Sequence, residues 1–111
     1  MEFAFNGEAM CFIHVLLNGL NLKARGQEVK IVIEGEACRL IPELGEAGHP
    51  FHQLYTKAKE EGLINGVCQA CAQKMGSLDA ARAQGLTILE DMSGHAGMAP
   101  YILEGYQIIT F

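Results

Sequence analysis

Apolar residues along this chain alternate between short unbroken runs and runs at helical spacing. Phe3, Ala4 and Phe5, closed by Asn6-Gly7, predict a first strand. Phe12, Ile13, Leu16, Leu17 and Leu20 recur every three or four residues, which predicts a helix ending before Gly26. Residues 29–33 are β-branched except for Lys30, lie between Gly26 and Gly35, and predict a strand covered on both faces. Residues 37–44 predict a short helix that must accommodate Pro42, and 45–50 a loop. Pro50 suits a helix first turn, with Phe51, Leu54, Tyr55 and Ala58 at helical spacing and Gly62 as the stop. A third strand is expected through Gly66 and Val67 to Cys68. A short helix follows to Gly76, then a second, capped by Ser77, to Gly85. Residues 86–89 predict a fourth strand, 90–97 a polar loop, then a helix that admits Pro100 only in its first turn or at a kink. Residues 107–111 predict a fifth strand. Strands alternating with helices imply βαβ units, hence a single three-layer α/β/α domain over 1–111 with a mostly parallel sheet of about five strands.

Composition narrows the function. Half of the 111 residues are hydrophobic and 19% are charged, so a packed core is expected rather than disorder. Eight basic against thirteen acidic residues give a formal charge of −5. This disfavours nucleic acid and anionic lipid as partners, although Lys23, Arg25 and Lys30 lie close together in sequence. The strongest apolar stretch, 9–17, contains His14 and is too short to span a bilayer, and no basic segment precedes it as in a signal peptide. The expected compartment is therefore the cytoplasm, with Cys11, Cys38, Cys68 and Cys71 as reduced thiols.

Ligands of an open parallel sheet collect beyond the carboxyl ends of its strands. Glu34, Glu36 and Cys38 follow the second expected strand, Cys68 and Cys71 the third, and Asp91, Ser93 and His95 the fourth. Cys68-Gln69-Ala70-Cys71 is the sharpest signal. A cysteine where a strand becomes a helix meets free N–H groups that favour thiolate over thiol, which predicts faster alkylation of Cys68 than of Cys11. A lone Cys-x-x-Cys lacks the second pair of a structural zinc site, and any metal would need further ligands such as Cys38, His95 or a neighbouring subunit. Cys11 is read as a small buried hydrophobe, with Cys38 likewise a packing residue. His95 is a candidate proton donor that Asp91 or Ser93 could orient; alternatively these two cap the next helix and His95 is solvated. His14 is expected in the core or an interface, His49 and His52 at the surface, and Glu34 and Glu36 in a solvated loop. Gly94 and Gly97 lack the spacing and lysine of a phosphate loop.

From Val67-Cys68-Gln69-Ala70-Cys71 through Gly76 the chain resembles the DsrE/DsrF-like family, including its YchN-type and TusD-type members. The resemblance extends over Gly7-Glu8-Ala9-Met10, residues 29–35 and Asp91 to His95. It implies a three-layer fold, a cytoplasmic location, and homo-oligomers, often trimers or hexamers. It also implies sulfane sulfur carried as a persulfide on Cys68, exchanged with donor and acceptor proteins without a cofactor or metal. Cys71 is absent from the simplest carriers; a thiol at that place could attack the persulfide and expel sulfide. The apolar residues Met10, Phe12, Ile13, Val15, Leu16 and Leu17 nearly encircle the first helix, which also favours an oligomer. The alternatives are a dithiol redox or metal-binding module, and an oligomeric small-ligand-binding protein without catalysis.

Overall fold

In a computed structural model that describes residues 2–4 and 9–110, every strand pairing is parallel. The strands are β1 (Glu2–Ala4), β2 (Ile31–Ile33), β3 (Ile64–Cys68), β4 (Ile88–Leu89) and β5 (Ile109–Thr110), arranged β4-β3-β2-β1-β5. The α/β class and the parallel sheet stand. The expected five strands are unequal, with three fuller ones and two minimal edges. Only β1, β2 and β3 reach three residues, and β4 and β5 are two-residue edges. Short edges leave few unpaired backbone groups for another chain to engage.

The alternation of strand side chains divides the core. Ile31 and Ile33 face a large cluster with Phe12, Leu16, Tyr55 and Val67, whereas Val32 faces a smaller one with Cys68, Ala96 and Tyr101. Each fully buried Leu or Ile stabilises the fold by about 1.5–3 kcal/mol. The helices α1 (Ala9–Ala24), α2 (Ile41–Leu44), α3 (His52–Glu60), α4 (Gln69–Lys74) and α5 (Leu78–Ala83) contribute to the large cluster. Tyr101, on α6 (Ala99–Leu103), belongs to the small one. The Tyr55 hydroxyl donates to Gln84 Oε1 at 2.6 Å, and Gln84 Nε2 donates to the Ile41 carbonyl at 2.9 Å. This chain satisfies the polar atoms that tie α2, α3 and the end of α5 together.

Several local expectations change. Val29 is buried but precedes β2, and residues 35–40 form a 3-10 turn (Gly35–Leu40), with Pro42 in the first turn of α2. Pro50 lies outside α3, which starts at His52, whereas Pro100 does occupy the first turn of α6. Ser77 stands at the start of α5 but does not cap it. Its buried hydroxyl turns back toward the Ala72 carbonyl at 3.4 Å. On α1, Phe12, Ile13, Val15 and Leu16 are buried, while His14 is exposed rather than in the core, because it falls on the helix face away from the sheet. Among the described residues no helix is long and apolar enough to cross a membrane. Phe5 and Phe111 of the expected end strands lie outside those residues, as does Asn6-Gly7.

Candidate functional site: two thiols and an imidazole beyond three adjacent strands

The strand order settles which strand ends share a crevice. Strands β2, β3 and β4 are neighbours, so Glu34, Cys68 and the loop after β4 emerge side by side. Val67 faces the large cluster, so Cys68, the next residue, must face the small one. It ends β3 with extended backbone, φ −64° and ψ 121°, and α4 begins at once. Cys71, three residues on, therefore returns to the same side.

The loop from Asp91 to Gly97 is built to present His95. Met92 and His95 exchange backbone hydrogen bonds of 2.9 and 3.0 Å across a two-residue turn. Ser93 and Gly94 at its corner have φ of 52° and 86°, the left-handed pair that such a tight turn demands. The Gly94 carbonyl accepts the Ala70 N–H at 2.9 Å, which satisfies one of the free donors at the start of α4 and docks the loop there. Asp91 Oδ1 accepts the Gly97 N–H at 3.2 Å. The Ala96 N–H then points at Cys68 Sγ (3.4 Å), and His95 Nδ1 lies 3.8 Å from the same sulfur.

Cys68 Sγ, Cys71 Sγ and a ring nitrogen of His95 all lie within 4.8 Å of one another. The three residues grade outward: Cys68 is only 1% exposed, Cys71 half-buried and His95 exposed. Burial pushes the Cys71 thiol up from its ordinary value, the Gly35 N–H opposes this, and Cys68 and Glu34 push it further up. Glu34 is half-buried rather than fully solvated; burial raises its carboxyl above the usual range and the nearby His95 pulls it back. Cys38 lies behind the pair. Its buried thiol is pushed up, mainly by desolvation and then by Cys71, Cys68 and Glu34, and it faces the Ile33 carbonyl at 3.7 Å. Two thiols and an imidazole in this arrangement can exchange sulfur, form a disulfide or ligate a soft cation.

The other candidates stand apart. Cys11 is half-buried on α1 rather than fully buried, and it is not one of the three clustered groups. Asp91 engages Gly97 rather than His95, and Ser93 is spent on the turn, so neither orients the imidazole or caps a helix through the hydrogen bonds seen here. His49 and His52 are half-buried, and His52 Nδ1 is 2.7 Å from the Leu44 carbonyl. Burial also opposes the expected speed of Cys68 alkylation. Sequence reasoning places Glu34 directly after β2 but reads it as solvated, and misses Gly35 and Ala96 as site groups. A cleft of about 640 Å³, lined by Arg25, Glu28, Glu104 and Tyr106 among others, lies at the amino ends of the strands, away from this chemistry.

The uncharacterised protein MJ0733 of Methanocaldococcus jannaschii is 34% identical over 97 residues, covering 87% of this chain and 77% of the relative. The chain belongs to the same family as MJ0733. A second uncharacterised protein, from Archaeoglobus fulgidus, is 46% identical over 37 residues, 33% of this chain and 100% of its own length. No family model matches, and no solved structure does.

Proposed function

We propose that the chain is a DsrE/DsrF-like sulfur-handling protein of three-layer α/β/α architecture that carries sulfane sulfur on Cys68. The observation that supports this most is the placing of Cys71 Sγ and a His95 ring nitrogen within 4.8 Å of Cys68 Sγ. Cys68 as thiolate attacks the outer sulfur of a donor persulfide. A new S–S bond forms, the donor's S–S bond breaks, and the donor leaves as a thiol that takes a proton from His95. The Ala96 N–H supports negative charge on the Cys68 sulfur. An acceptor thiolate that attacks the outer sulfur restores Cys68. If Cys71 attacks the inner sulfur instead, hydrosulfide leaves and a Cys68–Cys71 disulfide remains for an external dithiol to reduce.

This reading belongs to a reducing compartment such as the cytoplasm, with protein donors and acceptors and a trimer or hexamer of the chain. Leu17, Met92, Met98, Ile102 and Leu103 are exposed large apolar residues that favour self-association. Intact-mass measurement after incubation with a sulfane donor tests the carrier role. The wild type gains the mass of one sulfur atom, Cys68→Ser does not, and Cys71→Ser holds the adduct longer. Loading that survives Cys68→Ser but not Cys71→Ser overturns the assignment of the nucleophile. Normal loading of both variants overturns the reading.

A further inference from the structure

We infer that Cys68, Cys71 and His95 form a binding site for a thiophilic divalent cation of the zinc class. Their ligand atoms lie within 4.8 Å of one another, and Cys68 Sγ is 3.8 Å from His95 Nδ1. A tetrahedral zinc centre, with Zn–S of about 2.3 Å and Zn–N of about 2.0 Å, sets two sulfurs about 3.8 Å apart and a sulfur about 3.5 Å from a nitrogen. The three atoms therefore need to close by at most about 1.3 Å to share one ion. His95 is exposed, which gives the ion an entry route, and its tight turn limits the cost of fixing the ring.

The surroundings suit thiolate ligands. The Ala96 N–H points at Cys68 Sγ and the Gly35 N–H at the Cys71 sulfur, so each would keep a backbone donor when metal-bound. Binding displaces one proton from each thiol to the solvent and changes no oxidation state. Two thiolates and a neutral imidazole then balance the dication, which leaves one tetrahedral position to a further ligand. The inference does not rest on persulfide chemistry. It does imply that the two loads compete, because a thiolate that ligates the ion shares the electron pair it would use on a sulfane donor and is the weaker nucleophile for it.

The test uses the full chain, reduced and stripped with chelator, and titrates it with Zn2+ against a chromophoric chelator. Co2+ serves as the optical probe of tetrahedral thiolate ligation. One ion per chain is expected, with thiolate-to-cobalt charge transfer. Cys68→Ser and Cys71→Ser should each weaken binding by about tenfold or more and dim that band. His95→Ala alters an exposed side chain, so it should weaken binding by about tenfold with an unchanged far-UV CD spectrum, which guards against misfolded cysteine variants. Cys11→Ser should bind as the wild type does. Absence of stoichiometric binding, or binding undiminished in Cys71→Ser and His95→Ala, overturns the inference. Sulfane loading is measured separately on the metal-free chain. Failure to bind zinc leaves the carrier role intact, and failure to load sulfur in a chain that binds zinc removes only that role.

Discussion

Replacing Gly66 by alanine tests why β3 carries a glycine two residues before Cys68. A Cβ at Gly66 would stand 2.6 Å from Leu89 Cγ, 2.7 Å from Leu89 Cδ1 and 2.9 Å from the Thr87 carbonyl oxygen. The leucine can turn away in part, but the carbonyl is backbone and already accepts the Val67 N–H at 2.8 Å. Overpacking of this kind costs about 1–3 kcal/mol, and strain on that hydrogen bond about 1 kcal/mol more. Alanine recovers about 0.5–1 kcal/mol by restricting the unfolded chain. The net loss is about 1–3.5 kcal/mol, with a midpoint near 2 kcal/mol. Unfolding entropy near 2.1 cal/mol/K per residue gives about 0.23 kcal/mol/K for 111 residues, so Tm should fall by about 10 °C. Calorimetry on the wild type, Gly66→Ala, Leu89→Ala and the double variant completes the cycle. Leu89→Ala should cost at least about 1 kcal/mol less in the Gly66→Ala background, because it removes the atoms the new methyl meets. A Tm within about 2 °C of wild type, or single effects that add within about 0.5 kcal/mol, would refute the close approach of β4 to Gly66.

In the loop from Asp91 to Gly97, Gly97→Ala would put its Cβ 2.7 Å from Asp91 Oδ2 and drive the carboxylate off the Gly97 N–H. Thermal unfolding should show a loss of about 1–3 kcal/mol, and slower sulfane loading should accompany it as His95 and Ala96 shift from Cys68. Tyr55→Phe loses the 2.6 Å hydrogen bond to Gln84, at a cost of about 1 kcal/mol near neutral pH. Burial raises the Tyr55 phenol, so the folded chain holds this proton more tightly than the unfolded one. That stability is fully present below the unfolded value of about 10 and declines as pH rises above it. Urea midpoints at neutral and strongly alkaline pH should therefore converge between wild type and Tyr55→Phe. Finally, mass-resolved alkylation of the folded, reduced chain should label Cys71 before Cys68 and Cys38, because Cys71 is half-buried and the other two are buried. Equal rates would show that the site is open for most of the time in solution, against the burial seen here.

What could be read in advance followed local rules. Cys68 at a strand end was legible because 64–68 must stop where Gln69-Ala70-Cys71 turns helical. The inward face of α1 was legible because Phe12, Ile13 and Leu16 keep its period. Neighbourhood was not legible. The approach of Glu34, Cys68 and His95 depends on β2, β3 and β4 lying side by side, and strand order is a long-range choice with no local signature. Local signals also gave way to packing. Ser77 has the residue type of a helix cap, yet in a fully buried site its hydroxyl takes the Ala72 carbonyl. His14 sits within an apolar run, but the helical period turns it outward between Ile13 and Val15, both buried.

The gradient of exposure from His95 to Cys68 constrains how the site can work. Val32, Ala96 and Tyr101 close the small cluster around Cys68, while Cys71 and His95 occupy its wetter side. A reagent approaching from solvent on that side meets the imidazole or the outer thiol before the inner one. For sulfur transfer this order has a use. On the proposed reading a persulfide on Cys68 is shielded from adventitious thiols, while Cys71, the neighbouring thiol placed to expel its outer sulfur, is kept protonated by its raised affinity for the proton. Discharge then depends on deprotonating Cys71, which burial, Cys68 and Glu34 oppose and the Gly35 N–H assists. The same balance governs a cation, which must displace the Cys71 proton before it can gather both sulfurs. If Cys68 carries sulfur as proposed, Cys71 is the gate and Cys68 the inner holder, and substitution of Cys71 should change the lifetime of the bound sulfur more than its amount.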